Sequence, residues 1–311
     1  MRVSTDTTRF SQIPNRSLGE EPPLVYMLVM LYNLAMEREL GEAISAAAVK
    51  EGEYLVLPLQ RTRELASRFR LSALQVEMSA LDSGIVPARY QRNIGTLGKE
   101  GQLRLLRSCV GVCGLGGLGG CVTEFLARYG VGRLILADPD VFEENNLNRQ
   151  VLCRECDIGR PKAQRAMERL AEINPDLDVV AHQVFVTAAT FPDVFGETQV
   201  VVDALDTVSS RLALEEGCAR LGIPLVHGAI AGSAGQVMTI YPGDPGLRSL
   251  YTPGEDRGVE LVEGNPPTTP ALVASLQAQE AVKVICGGDT IRNGFLFLDT
   301  SSNLFQFIPL L

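Results

Sequence analysis

The sequence predicts a doubly wound, mostly parallel α/β sheet preceded by a small, mainly helical appendage. Apolar, strand-like runs alternate with helix-like runs from about Arg89 onward, which is typical of parallel strands joined by helices. A glycine-rich turn separates the first of these strands from the helix after it. The chain has 311 residues, 46% of them hydrophobic, which is enough for one large domain with a substantial core and one smaller unit.

Residues 1–86 form the predicted appendage. Apolar residues recur there at helical spacing in two runs, with a short strand expected at Tyr54–Leu57 between them. The runs are Leu24, Met27, Leu28, Leu31 and Leu34, and then Leu65, Phe69, Ala73 and Val76. The first run is too short to cross a bilayer, so we expect its helix to be buried. Four nearby arginines leave a docking role open beside the simpler interpretation of a solvated surface.

Residues 87–311 form the predicted sheet domain. Strands are expected at residues 109–114, 133–137, 177–186, 200–204, 224–228, 294–298 and 304–308. Helices are expected at residues 118–129, 161–173 and 271–285. The Gly- and Pro-rich stretch 242–270 has little periodicity and is predicted to be a long, functional loop.

Composition and charge argue against several classes of protein. A formal net charge of −9 argues against a general nucleic-acid binder, because a phosphate backbone is held mainly by Lys and Arg. Neither a membrane-spanning segment nor a secretory leader is evident, and the seven cysteines suit a reducing compartment. We therefore expect a cytoplasmic protein that binds no membrane.

The glycine-rich turn predicts a nucleotide site. Gly114, Gly116, Gly117 and Gly119 follow a strand and open a helix, where backbone N–H groups and the helix dipole attract phosphate. Asp138 lies about 20 residues further on, at the end of the next strand, where its carboxylate can accept from ribose hydroxyls. The sequence has no G-x-x-x-x-G-K-[ST] motif, so any ATP is not held by a P-loop.

A polar cluster indicates which nucleotide to expect. Asp138 and Asp140 are followed by residues 145–150 (NNLNRQ) and 159–162 (GRPK). An arginine fork and a lysine ammonium suit the oxygens of a triphosphate, whereas nicotinamide needs an apolar shelf. Asp206, just beyond an apolar strand, is the candidate ligand for Mg²⁺, with N-capping of the next helix as the alternative.

Together these motifs resemble the HesA/MoeB/ThiF family, the bacterial relatives of ubiquitin-activating enzymes. The resemblance rests on residues 89–94 (RYQRNI), 114–119 (GLGGLG), 146–150, 159–162, 203–206 and 275–278, in that order. It covers the chain from about residue 87 and implies a Rossmann-like adenylation domain over residues 87–311. Residues 1–86 lie outside it.

The resemblance also implies a reaction. Each subunit of a homodimer would bind ATP and Mg²⁺ and adenylate the C-terminal glycine of a ubiquitin-like sulfur-carrier protein ending in Gly-Gly. A carboxylate nucleophile is already ionised at pH 7, so alignment and charge neutralisation would suffice without a general base.

The resemblance implies site residues by position. Gly116 and Gly117 would line the phosphates, and Asp138 would hold the ribose. The residues implied in catalysis are Arg149 and Lys162 on the triphosphate, Asp206 on Mg²⁺, Asn146 as the family's active-site asparagine, and Arg92 reaching into the partner subunit's site.

Two departures from the family pattern concern zinc binding and a cysteine that other members carry. Many members bind zinc through two C-x-x-C pairs, but the corresponding residues 246–251 (GLRSLY) contain no cysteine, so no zinc is predicted. The cysteine that other members carry before the last core helix is absent from residues 258–269. An adenylation-only enzyme of the MoeB type is therefore favoured.

The sequence leaves four functions open. Adenylation of a sulfur carrier is favoured over adenylation of a peptide or other carboxylate held by residues 1–86, over a nucleotide-binding scaffold, and over an NAD-dependent oxidoreductase. The carrier, the pathway (molybdopterin, tungsten cofactor or thiamine) and the role of residues 1–86 do not follow from the sequence. Whether Cys153 and Cys156 take part in sulfur chemistry stays open as well.

Overall fold

A computed structural model of the chain describes residues 24–251 and 263–310. The first unit contains helices α1 (Leu24–Ala47), α2 (Leu59–Phe69) and α3 (Ala73–Asp82) with strands β1 (Val49–Glu51), β2 (Tyr54–Leu57) and β3 (Val86–Pro87). The strands form a sheet of order β1-β2-β3, and Leu40, Ile44, Leu57, Leu65 and Val76 are among the residues of its own small core. The expected strand at Tyr54–Leu57 is confirmed.

The prediction that the first apolar run would be buried is wrong for the residues that the structure describes. Leu31, Tyr32 and Leu34 are exposed by 59%, 68% and 57%, and the side chains of Leu24, Met27 and Leu28 lie outside the described residues. Among the described side chains of α1, Leu40 and Ile44 are buried in the core of the unit. Helical spacing predicted the helix correctly but could not show how far the neighbouring helices extend along it.

The second apolar run belongs to two helices rather than to one. α2 ends at Arg70, whose backbone is left-handed with φ 57°, and α3 begins at Ser72, whose side chain and Gln75 cap each other's backbone N–H groups. Such a capping box stabilises a new helix start. Leu65 and Val76 still meet in one core, because the two helices pack against each other.

Residues 94–310 form the sheet domain. Its helices are α4 (Ile94–Leu106), α5 (Gly117–Tyr129), α6 (Lys162–Ile173), α7 (Phe191–Phe195), α8 (Val208–Leu221) and α9 (Thr268–Cys286). Its strands are β4 (Cys109–Cys113), β5 (Arg133–Ala137), β6 (Asp178–His182), β7 (Val200–Asp203), β8 (Leu225–Ala231), β9 (Ala234–Ile240), β10 (Gly294–Asp299) and β11 (Leu304–Pro309). A 3-10 helix, Ala88–Asn93, connects β3 to α4.

The eight strands form one sheet of order β11-β10-β9-β8-β7-β4-β5-β6. The five strands from β8 to β6 are parallel, and β9, β10 and β11 extend the sheet antiparallel. Helices cover both faces, with α5, α6 and α9 in one core cluster and α7 and α8 in the other. The predicted fold class is confirmed, although β9 was not predicted because a tight turn joins it directly to β8.

Strand register determines where a site can form. Ala137, Cys113, Asp203 and His227 pair in one row across β5, β4, β7 and β8. Strands β5, β4 and β7 therefore end together at one edge of the sheet, which is where open α/β sheets bind ligands. Within the described ranges, no helix is long and apolar enough to cross a membrane.

Candidate active site

The glycines of the turn after β4 serve two purposes: some allow close packing of the backbone, and one leaves open space. A methyl group built on Gly114 would lie 2.5 Å from the Ala204 carbonyl oxygen, and Gly114 has a φ of 92°. A methyl group on Gly119 would overlap the carbonyl of Gly114. The same group on Gly116 would meet nothing closer than 3.6 Å. Gly114 and Gly119 are thus needed for close packing, whereas Gly116 leaves space before the N-terminus of α5.

Asp138 holds this turn in place. Its carboxylate accepts hydrogen bonds from the backbone N–H of Leu115 at 2.6 Å and of Asp140 at 2.8 Å. Burial raises the pKa of Asp138, and the charge of nearby Lys162 opposes that shift. Because a carboxylate has more acceptor positions than these two bonds use, Asp138 can also receive a ribose hydroxyl.

Lys162 opens α6 and is paired with Asp140. Its Nζ lies 2.9 Å from Asp140 Oδ2, and its backbone N–H donates to the Asp140 carbonyl. The lysine side chain is only 10% exposed, while that of Asp140 is 62% exposed. The largely buried ammonium is therefore paired with an exposed carboxylate at this edge of the sheet.

The segment between β5 and α6 brings two more polar side chains, Arg149 and Gln150, beside the turn and also contains Asn146. Arg149 Nη1 donates to the Asn145 carbonyl and to Asn148 Oδ1, both at 2.8 Å, and the Arg149 stem flanks Gly117. Asn146 is buried, and its Oδ1 accepts from the Glu143 backbone at 3.1 Å. Gln150 is buried with Nε2 beside Gly116, and its Oε1 has no partner among the described residues.

Sequence reasoning missed the residue that organises this segment. Asp157 is fully buried and accepts from Arg154 at 2.7 Å and from Arg160 at 2.9 Å, while Arg165 of α6 lies at 3.4 Å. These partners, Arg154 first, hold the pKa of Asp157 well below its usual range. The only signal for this cluster in the sequence was the number of arginines near Asp157.

A second buried acid supports the loop after β7. Asp203 Oδ2 lies 2.7 Å from His227 Nδ1, and its Oδ1 accepts from the Leu205 backbone at 3.0 Å. Arg211 donates to the Leu205 carbonyl and to the Tyr251 hydroxyl, which lies 3.2 Å from His227 Nε2. Burial lowers the pKa of His227. His227 is fully buried and supports this loop through its bond to Asp203.

Asp206 stands at the tip of that loop. It is exposed and makes no hydrogen bond or ion pair with any residue in 24–251 or 263–310. The alternative role as N-cap of α8 is wrong, because Thr207 occupies the N-cap position. Asp206 thus presents an uncommitted carboxylate at the ligand edge of the sheet.

Arg92 lies away from the other predicted residues. Its 3-10 helix bonds through Arg89 to Asn174, which ends α6, and through Asn93 to Tyr129, which ends α5. α6 has 12 residues and is therefore about 18 Å long. Lys162 and the glycine turn start these helices, so Arg92 lies about a full helix length from them. Arg92 is exposed and has no partner in the described part of the chain.

Metal ligands and cysteines add little to the site. No group of three or more His, Cys, Asp or Glu side chains in residues 24–251 and 263–310 could hold a metal. Cys153 is buried and Cys156 is exposed. The absence of zinc stays a prediction, and much of the altered stretch 258–270 lies outside the described residues.

Comparison with known proteins identifies the family of this chain. The ThiF family model matches residues 90–310. The SAMP-activating enzyme E1 of Haloferax volcanii is 38% identical over 227 residues, which make up 71% of this chain and 84% of that relative. The sulfur carrier protein ThiS adenylyltransferase of Escherichia coli is 33% identical over 228 residues, or 71% of this chain and 90% of that relative.

One solved structure resembles this chain in fold beyond the residues that the family model matches. The crystal structure of E. coli MccB with ATP matches at a TM-score of 0.60 and 20% identity, covering 91% of this chain and 88% of that chain. Residues 87–311 are less than 91% of the chain, so this fold likeness includes part of residues 1–86.

Proposed function

We propose that this chain, which belongs to the ThiF family and is an ATP-using adenylyltransferase, activates the C-terminal carboxylate of a ubiquitin-like sulfur-carrier protein. The carrier's terminal carboxylate would attack the α-phosphorus of ATP, forming an acyl-adenylate and releasing pyrophosphate. The named activity of the E. coli relative, adenylation of ThiS, supports this choice of substrate.

The single observation that carries the proposal is the space for a ligand beside the glycine-rich turn, at the edge of the sheet. The first N–H groups of α5 have no partner within the helix, and Gly116 leaves space in front of them. The Gln150 side chain lies beside Gly116, and its Oε1 is buried without a partner in the described residues. A buried polar atom without a partner costs about 1–3 kcal/mol, so a bound ligand would remove a real penalty. These features fit a nucleotide.

The cationic residues have the chemistry that phosphate transfer needs. Lys162 would exchange Asp140 for phosphate oxygens, and Arg149 would turn from the Asn145 carbonyl toward the same charge. Asp138 would hold the ribose while it keeps the turn in shape. The residues supply alignment and charge neutralisation, and none has to remove a proton from an ionised carboxylate.

Asp206 is our candidate for holding Mg²⁺. Its carboxylate is exposed at the loop tip, and Asp203 and Arg211 fix the backbone on which it stands. A bound Mg²⁺ would neutralise charge on the triphosphate oxygens. Asn146, buried next to this edge, would orient the segment that carries Arg149.

Arg92 would act in a homodimer, on the site of the other subunit. Its distance from Lys162, about the length of α6, exceeds what one arginine side chain can span. A subunit carrying Arg92→Ala and one carrying Lys162→Ala should therefore together form one complete site. Verified heterodimers of these variants should recover activity that both homodimers lack.

Isotope exchange between ATP and pyrophosphate tests the substrate directly. We expect exchange in the presence of E. coli ThiS or the H. volcanii SAMP, and none with the same carrier lacking its last two residues. Exchange that needs no carrier tail, or no exchange with any carrier, would contradict the proposal. Exchange supported by a short peptide but not by carriers would instead favour the peptide-activating alternative.

A further inference from the structure

The 3-10 helix that carries Arg92 is anchored at both ends. It starts directly after β3, whose Val86 and Pro87 pair with β2 in the sheet of the N-terminal unit. At its other end, Asn93 Nδ2 donates to Gln102 Oε1 at 2.9 Å. Tyr90 is buried against Gly130, where a methyl group would lie 2.5 Å from the tyrosine ring. The segment therefore has little freedom to move by itself.

Arg89 joins this segment to both units of the chain. Its Nε lies 3.5 Å from Oε1 of Glu77 on α3, and its Nη1 donates to Asn174 Oδ1 at the end of α6. The Glu77 side chain is 2% exposed and that of Arg89 is 18% exposed. Glu77 is thus the one residue of the N-terminal unit that meets Arg89 in an ion pair among the described residues.

Arg92 follows Arg89 by one turn. A 3-10 helix has three residues per turn, so side chains three apart project from the same side. Because only one turn of helix separates the two residues, contacts that fix the backbone at Arg89 also fix the backbone at Arg92. Arg89 is enclosed by Glu77 and Asn174, whereas Arg92 is exposed and has no partner in the described ranges.

The electrostatics of Glu77 suggest a role other than stability. Burial raises the pKa of Glu77 to about 7, with Arg89 opposing the shift and Asp176 adding to it. Tyr90 is the remaining titratable neighbour, and burial raises its pKa as well. An apolar side chain would occupy such a place at lower cost than an ion pair, but it could not orient a guanidinium.

We propose that Glu77 is a positioning residue, which through Arg89 holds the 3-10 helix so that Arg92 projects into the active site of a second copy of the chain. This inference rests on the proposed function. It gives the N-terminal unit a part in catalysis that does not require the unit to touch substrate.

The first test compares two buried acids in the homodimer. Glu77→Gln keeps the shape and removes the charge, and Glu280→Gln does the same for a buried acid that binds Thr239 and Ile291 instead. We expect Glu77→Gln to lower exchange by about 10- to 100-fold, as a small misplacement of a catalytic group does, with the KM for ATP changed much less than kcat. Circular dichroism and sedimentation should show a folded dimer for both variants.

Heterodimers then assign the defect to a subunit. Glu77→Gln paired with Lys162→Ala should recover about half of wild-type exchange, because one site receives Arg92 from a subunit with an intact Glu77. Glu77→Gln paired with Arg92→Ala should stay as low as the Glu77→Gln homodimer or lower. Glu280→Gln, if it impairs its own subunit, should show the opposite pattern.

These outcomes separate the inference from the proposed function. If Arg92→Ala and Lys162→Ala fail to complement each other, the trans role of Arg92 is wrong whatever Glu77 does. If they complement but Glu77→Gln behaves like Glu280→Gln, or has wild-type activity, Glu77 does not position Arg92. As a further readout, wild-type kcat should fall as the pH drops below about 7, and the Glu77→Gln variant should lack that change.

Discussion

Gly116 and Gly119 show how neighbouring residues of one motif can serve different purposes. Both belong to the G-x-G-x-x-G pattern, which by itself predicts only a turn close to phosphate. In the folded chain a side chain at Gly119 would overlap the Gly114 carbonyl, whereas one at Gly116 would enter open space beside Gln150. The motif therefore combines one packing requirement and one binding requirement.

We expect alanine at these two positions to separate stability from binding. Gly119→Ala should lower the unfolding temperature by several degrees or prevent folding, because backbone must move to admit the methyl group. Gly116→Ala, with φ −77° in the wild type, should melt close to the wild type but lose most of its stabilisation by ATP. Thermal melts with and without ATP measure both effects, and equal melting of the two variants would refute the division.

Asp206 allows a second prediction at this scale. Asp206→Ala should abolish Mg²⁺-dependent exchange while ATP binding largely survives, since the carboxylate contacts none of the residues that shape the described part of the fold. Asp193→Ala, an acid in the first turn of α7, serves as the control. Wild-type exchange by Asp206→Ala across a Mg²⁺ titration would remove this residue from the metal site.

At the scale of elements, α5 and α6 separate the two functional ends of the subunit. Each starts at the nucleotide edge, with Gly117 and Lys162, and each ends beside the 3-10 helix that carries Arg92. Helices of this length cannot bring their two ends to one ligand. The proposed site, which uses Lys162 and Arg92, would therefore be completed by two copies of the chain.

The contact between α3 and the 3-10 helix predicts a pH dependence of stability. The pKa of Glu77 is raised to about 7 in the folded state from an ordinary value near 4.5, so the folded chain holds a proton that the unfolded chain has lost. The free energy of unfolding should therefore fall, relative to Glu77→Gln, as the pH rises from 4.5 to about 7. Urea unfolding of both proteins at several pH values measures the difference, and a constant difference would show that Glu77 does not titrate there.

At the scale of the whole molecule, the N-terminal unit is attached through buried contacts but is only partly covered. Its α3 packs on α4, and Glu77 meets Arg89, whereas Leu31, Tyr32 and Leu34 of α1 remain exposed. The unit is thus joined to the sheet domain near Arg92 and not near the nucleotide edge. Its position is consistent with the proposal that Glu77 positions Arg92.

Nucleotide choice is a property of the whole fold and can be measured without a carrier. ATP with Mg²⁺ should stabilise the protein by about 2.7 kcal/mol at a hundredfold excess over its dissociation constant, because it binds only the folded state. NAD should have no such effect, because the edge of the sheet presents Lys162, Arg149 and Gln150 rather than an apolar shelf. A thermal shift with NAD alone would contradict the assignment of this edge to a triphosphate.

Local sequence determined the elements and motifs of this protein. Short apolar runs predicted the parallel strands, and glycine, aspartate and proline signals located the turns at Gly114, Asp138 and Pro161, because these depend on the preferences of a few residues. The motif order was sufficient to predict the family. The buried or exposed state of α1 could not be predicted, since an apolar helix face does not reveal whether anything lies against it.

Only the tertiary structure decided which distant residues meet. Several buried contacts join residues that are far apart along the chain or that resemble ordinary surface charges in the sequence. They are Asp157 with its arginines, Asp203 with His227, and Glu77 with Arg89 and Asn174. The sequence by itself indicated what chemistry the chain can perform, since that depends on residue type and local spacing. The fold determined which end of α6 each group occupies, and thus that Lys162 and Arg92 cannot serve the same site in one subunit.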